Sequence, residues 1–390
     1  MLYEKEAINL IYLSMKKYVV FLALLGSILS CARTTENSKV EIDIQSAEMI
    51  SSDSLNMLVD QLDFIIVDTA QIYFSLVRKI ISDDSIMIIL VGKNRKEIVI
   101  MDQYGHLNAR IDYIGSGPGE YKNITDITYN FKTKEIIVFD IVSKNLYTYN
   151  LKGQYISQKK IDLQASNCIT DDEYYYFFTE KLISELGKGK EIIVLDKNCN
   201  LVNSFFEYKQ QPDRFRYSAD QVFFRNERSE IFFSNVFRDT TYRISSKECK
   251  PSYIYNINNK IPTRYTIDRD LFNNNFRNYN FHSGLFGSTK NWIHFNVVKK
   301  NQSIDYYLSN DRQQFIATNS TQISRNIYLS EPIGFDNQYF YYAINPDWID
   351  NHIDEFNELL LKYNRSDLVA YFDKNILNYN PIIIRIKFKD

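Results

Sequence analysis

The chain has 390 residues, of which 45% are hydrophobic, and this proportion excludes a globally disordered protein because it can supply a large core. Lysine and arginine (46) nearly balance aspartate and glutamate (48), so the formal net charge of −2 gives no basis for binding nucleic acid or an anionic membrane surface through bulk charge. The 30 tyrosines and 26 phenylalanines, against 12 glycines, favour β-strands, whose half-buried surfaces suit aromatic side chains.

The start of the chain has the order of features found in a secretion signal. Lys16 and Lys17 precede an apolar run over residues 18–29, which is too short to span a bilayer and has the length of a signal-peptide core. The run leads into Ser30-Cys31, which resembles a bacterial lipobox, where a small residue precedes the cysteine that becomes the lipidated N-terminus. An ordinary N-terminal helix with a buried Cys31 is the alternative.

The lipobox interpretation divides the first part of the chain. We expect translation to start at Met15, so that residues 1–14 are an annotation extension. Residues 15–30 then form the lipoprotein signal peptide, and residues 31–39 form a tether that follows lipidated Cys31.

A strand–turn–strand unit recurs along the rest of the chain, and its first four copies begin 46 to 49 residues apart. The copies begin at Ile98, Leu146, Ile192 and Thr241, with a weaker fifth near Ile304 and a sixth at Ile382 that the C-terminus cuts short. Three copies carry Asp102, Asn150 and Asp196 at the same offset, and Gly105 and Gly153 follow two of these residues. A fixed period of this size, built from strands with no helix between them, is the pattern of a β-propeller.

A further apolar strand precedes each of the six hairpins. These strands cover residues 85–91, 135–142, 173–179, 230–237, 292–298 and 338–344. Six hairpins with six preceding strands predict an all-β fold, a six-bladed β-propeller over residues 40–390. The aromatic run Tyr174–Phe178 lies in one of these strands, where alternate side chains face opposite ways, so we expect sheet packing rather than a sugar-stacking platform.

Two long intervals between repeats predict insertions. Residues 256–280 are rich in asparagine and arginine and are expected to form an extended loop. Residues 346–378 are expected to form a helical insertion in the last blade, because an apolar stripe repeats at helical spacing after Pro346. The stripe comprises Ile349, Ile353, Phe356, Leu360 and Tyr363. We expect it to dock on the propeller, and the opposite acidic face, with Asp350, Asp354 and Glu358, is a candidate partner-facing surface.

Closure of the ring is expected to join the two ends of the chain. The last strand, residues 382–388, is in third-strand register, so the sixth blade lacks a fourth strand. Val40–Ile44 or Phe64–Val67 could supply it, and either would remove an exposed sheet edge.

A glycine-rich segment lies at the crossing between the first and second blades. It comprises Gly115, Gly117, Pro118, Gly119, Glu120 and Tyr121. Glycines allow positive φ and close backbone approach. We interpret the segment as a tight turn held by Glu120 and Tyr121, with a ligand-contacting loop at the channel mouth as the alternative. No P-loop lysine follows, so phosphate binding is not expected.

From Val40 to the end, these features resemble the six-bladed β-propeller lipoproteins of Bacteroidota, which are themselves similar to NHL-repeat propellers. The lipobox, the GPGEY crossing, the turn glycines and Asn380-Pro381 before the last strand carry the resemblance. Cys199 departs from it, because a turn glycine is expected at that position, and the fifth repeat is degenerate. The resemblance implies a propeller in the cell envelope and brings no established catalytic residues.

The sequence contains no recognisable catalytic or metal-binding motif. The four histidines, His106, His282, His294 and His352, have no metal-ligand spacing, and no nucleophile elbow occurs. Cys168, Cys199 and Cys249 are expected to be small buried side chains, although a disulfide stays open. Asp83, Asp84, Asp171 and Asp172 are expected to stabilise turns. We predict no catalytic residue, no metal ligand and no cofactor, and leave calcium in the central channel open.

The leading functional hypothesis is a membrane-anchored envelope lipoprotein whose propeller binds a protein, peptide or glycan partner without catalysis. It is expected to be held by its N-terminal lipid at the outer membrane, facing the periplasm, because no acidic run follows Cys31. The alternative is a metal-dependent enzyme similar to propeller lactonases or lyases, with its site in the central channel. Whether the protein is an enzyme is therefore open, with binding favoured.

Overall fold

The computed structural model describes residues 39–83, 85–180, 185–207, 219–226, 228–319, 321–324, 327–329, 331–374 and 379–389. The expected extension at 1–14, signal peptide at 15–30 and Cys31 lie outside the described residues, as does the tether except for Lys39. Asp84, which is expected to stabilise a turn, also lies outside the described residues.

Six sheets surround a central axis, and each is one blade of a six-bladed β-propeller. A short N-terminal segment precedes the blades. Its elements are β1 (Val40–Asp43), β2 (Glu48–Met49), helix α1 (Ser52–Met57) and β3 (Val59–Ile65).

Blades 1 to 3 are antiparallel meanders of four consecutive strands, with the first strand of each innermost. Blade 1 comprises β4 (Val77–Asp83), β5 (Ile86–Val91), β6 (Glu97–Asp102) and β7 (Leu107–Ile111). Blade 2 comprises β8 (Asp126–Asn130), β9 (Glu135–Asp140), β10 (Asn145–Asn150) and β11 (Tyr155–Lys160). Blade 3 comprises β12 (Asn167–Thr170), β13 (Tyr174–Phe178), β14 (Lys190–Asp196) and β15 (Leu201–Glu207).

Blades 4 to 6 each include a strand from the N-terminal segment, in the order β1, β2 and β3. Blade 4 comprises β16 (Phe223–Arg225), β17 (Ile231–Phe233), β18 (Thr240–Ile244), β19 (Cys249–Asn256) and β1. Blade 5 comprises β20 (Asn280–Ser288), β21 (Trp292–Lys299), β22 (Gln302–Ser309), β23 (Phe315–Thr318) and β2, and a separate hairpin, β24 (Thr321–Ser324) and β25 (Ile327–Leu329), follows it. Blade 6 comprises β26 (Gly334–Phe335), β27 (Phe340–Ile344), β28 (Ile382–Phe388) and β3.

The repeated aspartate and asparagine shape the hairpin turns after the third strands. The Asp102 carboxylate accepts the backbone N–H groups of Tyr104 and His106 at 2.8 and 3.0 Å. Asn150 and Asp196 accept equivalent pairs of N–H groups in blades 2 and 3. The backbone then turns through positive φ, at +92° for Gly105 and +74° for Gly153. Cys199 has φ +65°, so the turn keeps its geometry where glycine is missing, at a cost in backbone strain.

The core consists of apolar layers between neighbouring blades. In the run Tyr174–Phe178, Tyr175 and Phe177 pack with side chains of blade 2, whereas Tyr176 and Phe178 pack with those of blade 4. The expected two-sided sheet packing of this run is therefore confirmed, because alternate side chains of a strand point to opposite faces.

The ring closes through β3, which pairs antiparallel with β28. Ile384 lies opposite Phe64, and the Arg385 guanidinium bonds the Asp63 carboxylate at 2.7 Å. Of the two strands expected as closing candidates, the one containing Phe64 therefore completes blade 6. The other, near Val40, lies beside β19 at the edge of blade 4 instead.

The segment expected to be an extended loop, residues 256–280, contains helical structure, so that prediction was wrong in part. Two 3₁₀ turns, Thr263–Tyr265 and Phe276–Asn278, flank helix α2, Arg269–Asn275. Asp268 caps α2 by accepting the Leu271 N–H at 2.8 Å, and Phe272 packs against Phe237 and Phe281. The helix is stabilised by a cap and one buried aromatic side chain. It is too short for its sequence to show a helical period.

The helical insertion in blade 6 is present and consists of three helices, α3 (Pro346–Asn351), α4 (Ile353–Lys362) and α5 (Ser366–Lys374). His352, with φ −139° and ψ 37°, separates the first two. Ile349, Phe356 and Leu360 are buried against blade 6, so the apolar stripe docks on its own domain. Residues 375–378 of the expected insertion lie outside the described part of the chain.

The meander gives the propeller two distinct faces. The turns after the first and third strands of each blade lie at one face, which we call the hairpin face. The connections after the second strands and the crossings between blades lie at the other, which we call the crossing face. The segment between β7 and β8, the segment containing α2 and helices α3 to α5 all connect strands at the crossing face.

Candidate functional site

The glycine-rich segment forms a tight turn at the crossing face. The Glu120 N–H bonds the Gly117 carbonyl at 3.1 Å, and Pro118 and Gly119 occupy the two central turn positions, with Gly119 at φ +76°. The Glu120 carboxylate turns back and accepts the Gly117 N–H at 2.8 Å. A Cβ atom at Gly115 would lie 1.9 Å from that carboxylate, which explains the first glycine.

Tyr121 fixes this turn to the core. Its side chain is fully buried, and its hydroxyl donates to the carbonyl of Lys96 or Ile111, each 3.2 Å away. Burial raises the pKa of Tyr121 well above its usual range. These contacts support the interpretation of a structural turn held by Glu120 and Tyr121, and a ligand-contacting role of the segment stays a prediction.

The acidic residues of the helical insertion differ in their surroundings. Asp350 accepts a hydrogen bond from the buried Tyr379 hydroxyl at 2.5 Å, so it has a structural contact. Asp354 and Glu358 are exposed on α4 at the crossing face. A partner-facing role for this surface stays a prediction.

The histidines differ in their surroundings, and the three described cysteines form no disulfide. His106 is exposed and bonds Asp102 at 2.8 Å, whereas His282 is buried, and its burial lowers its pKa to about 3. Cys168, Cys199 and Cys249 are free thiols. Among the described residues, no group of three or more His, Cys, Asp or Glu side chains is arranged to hold a metal ion.

A cavity of about 410 Å³ lies at the centre of the propeller. Its walls come mainly from the innermost strands of blades 1, 2, 3, 4 and 6, and its rim comes from turns that follow first or third strands of the blades. The rim residues, including Gln103, Asn226 and Asn337, all belong to turns of the hairpin face. The cavity therefore opens at that face, opposite the glycine-rich turn and the helical insertion, whose residues do not line it.

Most charged groups of the cavity are paired. The Lys79 ammonium bonds the Asp126 carboxylate at 2.8 Å, and Arg385 bonds Asp63. The Lys134 ammonium forms an ion pair with the Asp83 carboxylate at 2.6 Å. These pairs hold neighbouring blades or strands together and offset one another in charge.

Asp336 is held within its own turn. One of its oxygens accepts the N–H groups of Gln338 and Tyr339 at 2.8 Å each, and the other accepts the Tyr341 hydroxyl at 2.6 Å. Asp171 repeats this pattern with Glu173, Tyr174 and Tyr176. The expectation that the Asp171 carboxylate stabilises its turn is therefore confirmed.

Arg225 differs from the other basic groups of the cavity. Its guanidinium lies 4.9 Å from the centre of the Phe131 ring and donates to the Thr170 carbonyl, and the structure gives it no ion pair with another described residue. Burial lowers the pKa of Arg225, and the nearby Asp171 and Asp172 partly offset this effect. An arginine has five N–H donors, so the bond to one carbonyl leaves donors for a ligand.

Sequence reasoning did not identify this cavity. Its distinguishing residues, Arg225 and the rim amides Gln103, Asn337 and Gln338, belong to no motif. A signal was present in the repeat itself, because residues just after the innermost strands must converge around the axis of a propeller. Aligning those positions across the repeats would have brought Phe131, Arg225 and Asp336 together.

No helix in the described part of the chain combines the length and the apolar character needed to cross a membrane. No curated protein matches the sequence. Solved structures of similar fold include two proteins from Bacteroides. A Bacteroides fragilis protein described as exported has a TM-score of 0.69 at 15% identity, covering 90% of this chain and all of the other. A member of the DUF4221 family from Bacteroides vulgatus has a TM-score of 0.51 at 10% identity, covering 85% of this chain and 97% of the other.

The identities of these two structures are low, so the likeness shows the fold alone. The family is shown by a separate comparison, with a family model that covers nearly the whole propeller. Residues 41–387 match the model described as Domain of unknown function (DUF4934), and the chain therefore belongs to the DUF4934 family.

Proposed function

We propose that this protein is a binding module of the bacterial cell envelope and that it holds its ligand in the hairpin-face cavity. The observation that carries this proposal is the cavity itself, which combines about 410 Å³ of space with an arginine that has no ion pair among the described residues. Ligand sites are typically concave, with volumes of about 300–1,000 Å³ and a few convergent polar groups among apolar ones.

A location in the cell envelope is part of the same proposal. It rests on the lipobox-like Ser30-Cys31 and is supported by the similar fold of a protein described as exported. We propose a lipid anchor at Cys31, an outer-membrane location facing the periplasm, and a propeller of the NHL-like type.

A rim substitution tests the binding site. Asn337 is exposed at the rim, so Asn337→Trp should place a large ring across the mouth without disturbing the core. Lys122→Trp, at an exposed position of the crossing face, is the matched control. Purified parent and variants are applied to glycan and peptide arrays, and bound ligands are confirmed by calorimetry.

We expect the parent and Lys122→Trp to bind the same ligands and Asn337→Trp to lose them. Equal binding by all three proteins would place the binding surface outside the cavity. Thermal unfolding of each variant shows whether the fold is intact.

A further inference from the structure

The cavity holds a guanidinium that the protein does not neutralise by a direct ion pair among its described residues. Arg225 ends β16 and lies at the level where the inner strands meet the hairpin-face turns. The Phe131 ring covers one face of the guanidinium, and the Thr170 carbonyl accepts one N–H. These two contacts hold the planar group in place and leave its remaining donors for a ligand.

Two carboxylates near Arg225 are already engaged elsewhere. Asp171 uses one oxygen for the N–H groups of its own turn and the other for the Tyr176 hydroxyl at 2.5 Å. Asp172 lies 3.7 Å from the Lys132 ammonium. Both lower the positive potential at Arg225 without forming a close pair with it, so a ligand carboxylate could provide the close, two-point contact that arginine favours.

The other groups of the rim suit hydroxyl-bearing ligands. The side-chain amides of Gln103, Asn337 and Gln338 form no hydrogen bond with another described residue. They therefore offer both donors and acceptors to a ligand. Phe335 and Tyr339 add partly exposed aromatic surface beside them. Neutral amides with aromatic surface match the alternating hydroxyl groups and apolar faces of a sugar ring.

We propose that the cavity binds an acidic saccharide, with the sugar carboxylate on Arg225 and the sugar hydroxyls on the rim amides. This inference rests on the proposed function, because it names the ligand class of the same cavity. A peptide carboxylate could meet Arg225 in the same way, but it would leave the rim amides without matching hydroxyls.

The experiment compares oligosaccharides that carry the sugar carboxylate with oligosaccharides that lack its charge. Calorimetry measures binding of the purified protein to oligosaccharides of glucuronic acid, to their methyl esters and to glucose oligosaccharides of equal length. We expect binding of the acid form alone, because esterification removes the charge and retains the hydroxyls. This comparison needs no variant, so it does not depend on the folding of a mutant. Galacturonic acid oligosaccharides and trialanine with a free or an amidated C-terminus complete the series.

Arg225→Gln should weaken binding of the acid form by about 10- to 100-fold, as expected when a charged hydrogen-bonding partner is lost. Arg95→Gln is the matched control, because Arg95 is largely exposed and pairs with Asp112 instead. Equal binding of acid and ester, binding of the free trialanine in place of the sugars, or no binding of any sugar acid would each overturn the inference. If Asn337→Trp blocks another ligand while the sugar acids fail, the cavity is the binding site and only the ligand class is wrong.

Discussion

Asn380 joins the start of the last strand to the segment between β3 and β4, and its removal should destabilise the whole ring. The side chain is buried, with its oxygen accepting the Phe74 N–H at 2.7 Å. Its amide nitrogen donates to the carbonyls of Val67 and Ile72 at 2.9 and 2.8 Å. Asn380→Ala leaves these three buried backbone groups without their partner. Each costs about 1–3 kcal/mol when unsatisfied, so we expect a loss of roughly 3–6 kcal/mol after partial relaxation.

Asn380→Asp separates hydrogen bonding from packing, because it retains the shape of the side chain. The carboxylate can still accept the Phe74 N–H, but it faces two carbonyl oxygens that need donors. Burial beside these oxygens should raise the folded-state pKa of the new carboxyl above its unfolded value. The folded state then binds the extra proton, so the stability of this variant relative to the parent should rise as the pH falls towards the unfolded pKa.

Urea unfolding monitored by tryptophan fluorescence measures both effects, because Trp292 is buried and its indole N–H bonds the Lys389 carbonyl at the end of blade 6. The two variants are compared with the parent at pH 7 and pH 5. Asn198→Ala, at an exposed turn position, is the control and should change the free energy of unfolding by less than about 0.5 kcal/mol. If Asn380→Ala is no less stable than this control, the three hydrogen bonds do not hold the ring closed.

Three further predictions concern the crossing turn, the closing strand and the anchor. Gly119→Ala should lower the melting temperature more than Gly189→Ala does. Both glycines have positive φ, but a Cβ atom at Gly119 would lie 2.6 Å from the Tyr155 ring. A Cβ atom at Gly189 would meet nothing within 4 Å. The shared backbone strain is about 1–2 kcal/mol, and equal losses would show that the Tyr155 contact is irrelevant. Deleting residues 32–70 removes β3 with buried Leu62 and Phe64, so it should prevent stable folding. Deleting residues 32–38 should leave the melting temperature nearly unchanged. Similar melting temperatures of the two truncations would refute closure of the ring by β3. Cys31→Ala should release the protein from the membrane fraction, and retention there after a high-salt wash would contradict the lipid anchor.

The local sequence pattern predicts most of the architecture. The alternation of apolar residues located the strands, and Asp102, Asn150 and Asp196 marked turns whose geometry their own side chains impose. The period between these turns then indicated the blades, because a propeller repeats one supersecondary unit. The helical stripe beginning at Ile349 was also readable, since its spacing matches a helix that docks on one side.

Local pattern could not choose between two closing strands. Val40–Ile44 and Phe64–Val67 both alternate, and each could pair with an open sheet edge. The choice depends on contacts across more than 300 residues of sequence, between Asp63 and Arg385 and between Asn380 and the carbonyls of Val67 and Ile72. Phe64 adds packing against Phe356 of the helical insertion.

The sequence alone determined the repeat, the turns and therefore the propeller, because each of these depends on residues that are neighbours in the chain. Only the tertiary structure decided which strand closes the ring and which side chains meet at its axis. Phe131, Arg225 and Asp336 come from three different blades and have no sequence relation to one another. They share a cavity because the blades are arranged in a circle, and that arrangement brings the ends of distant inner strands together.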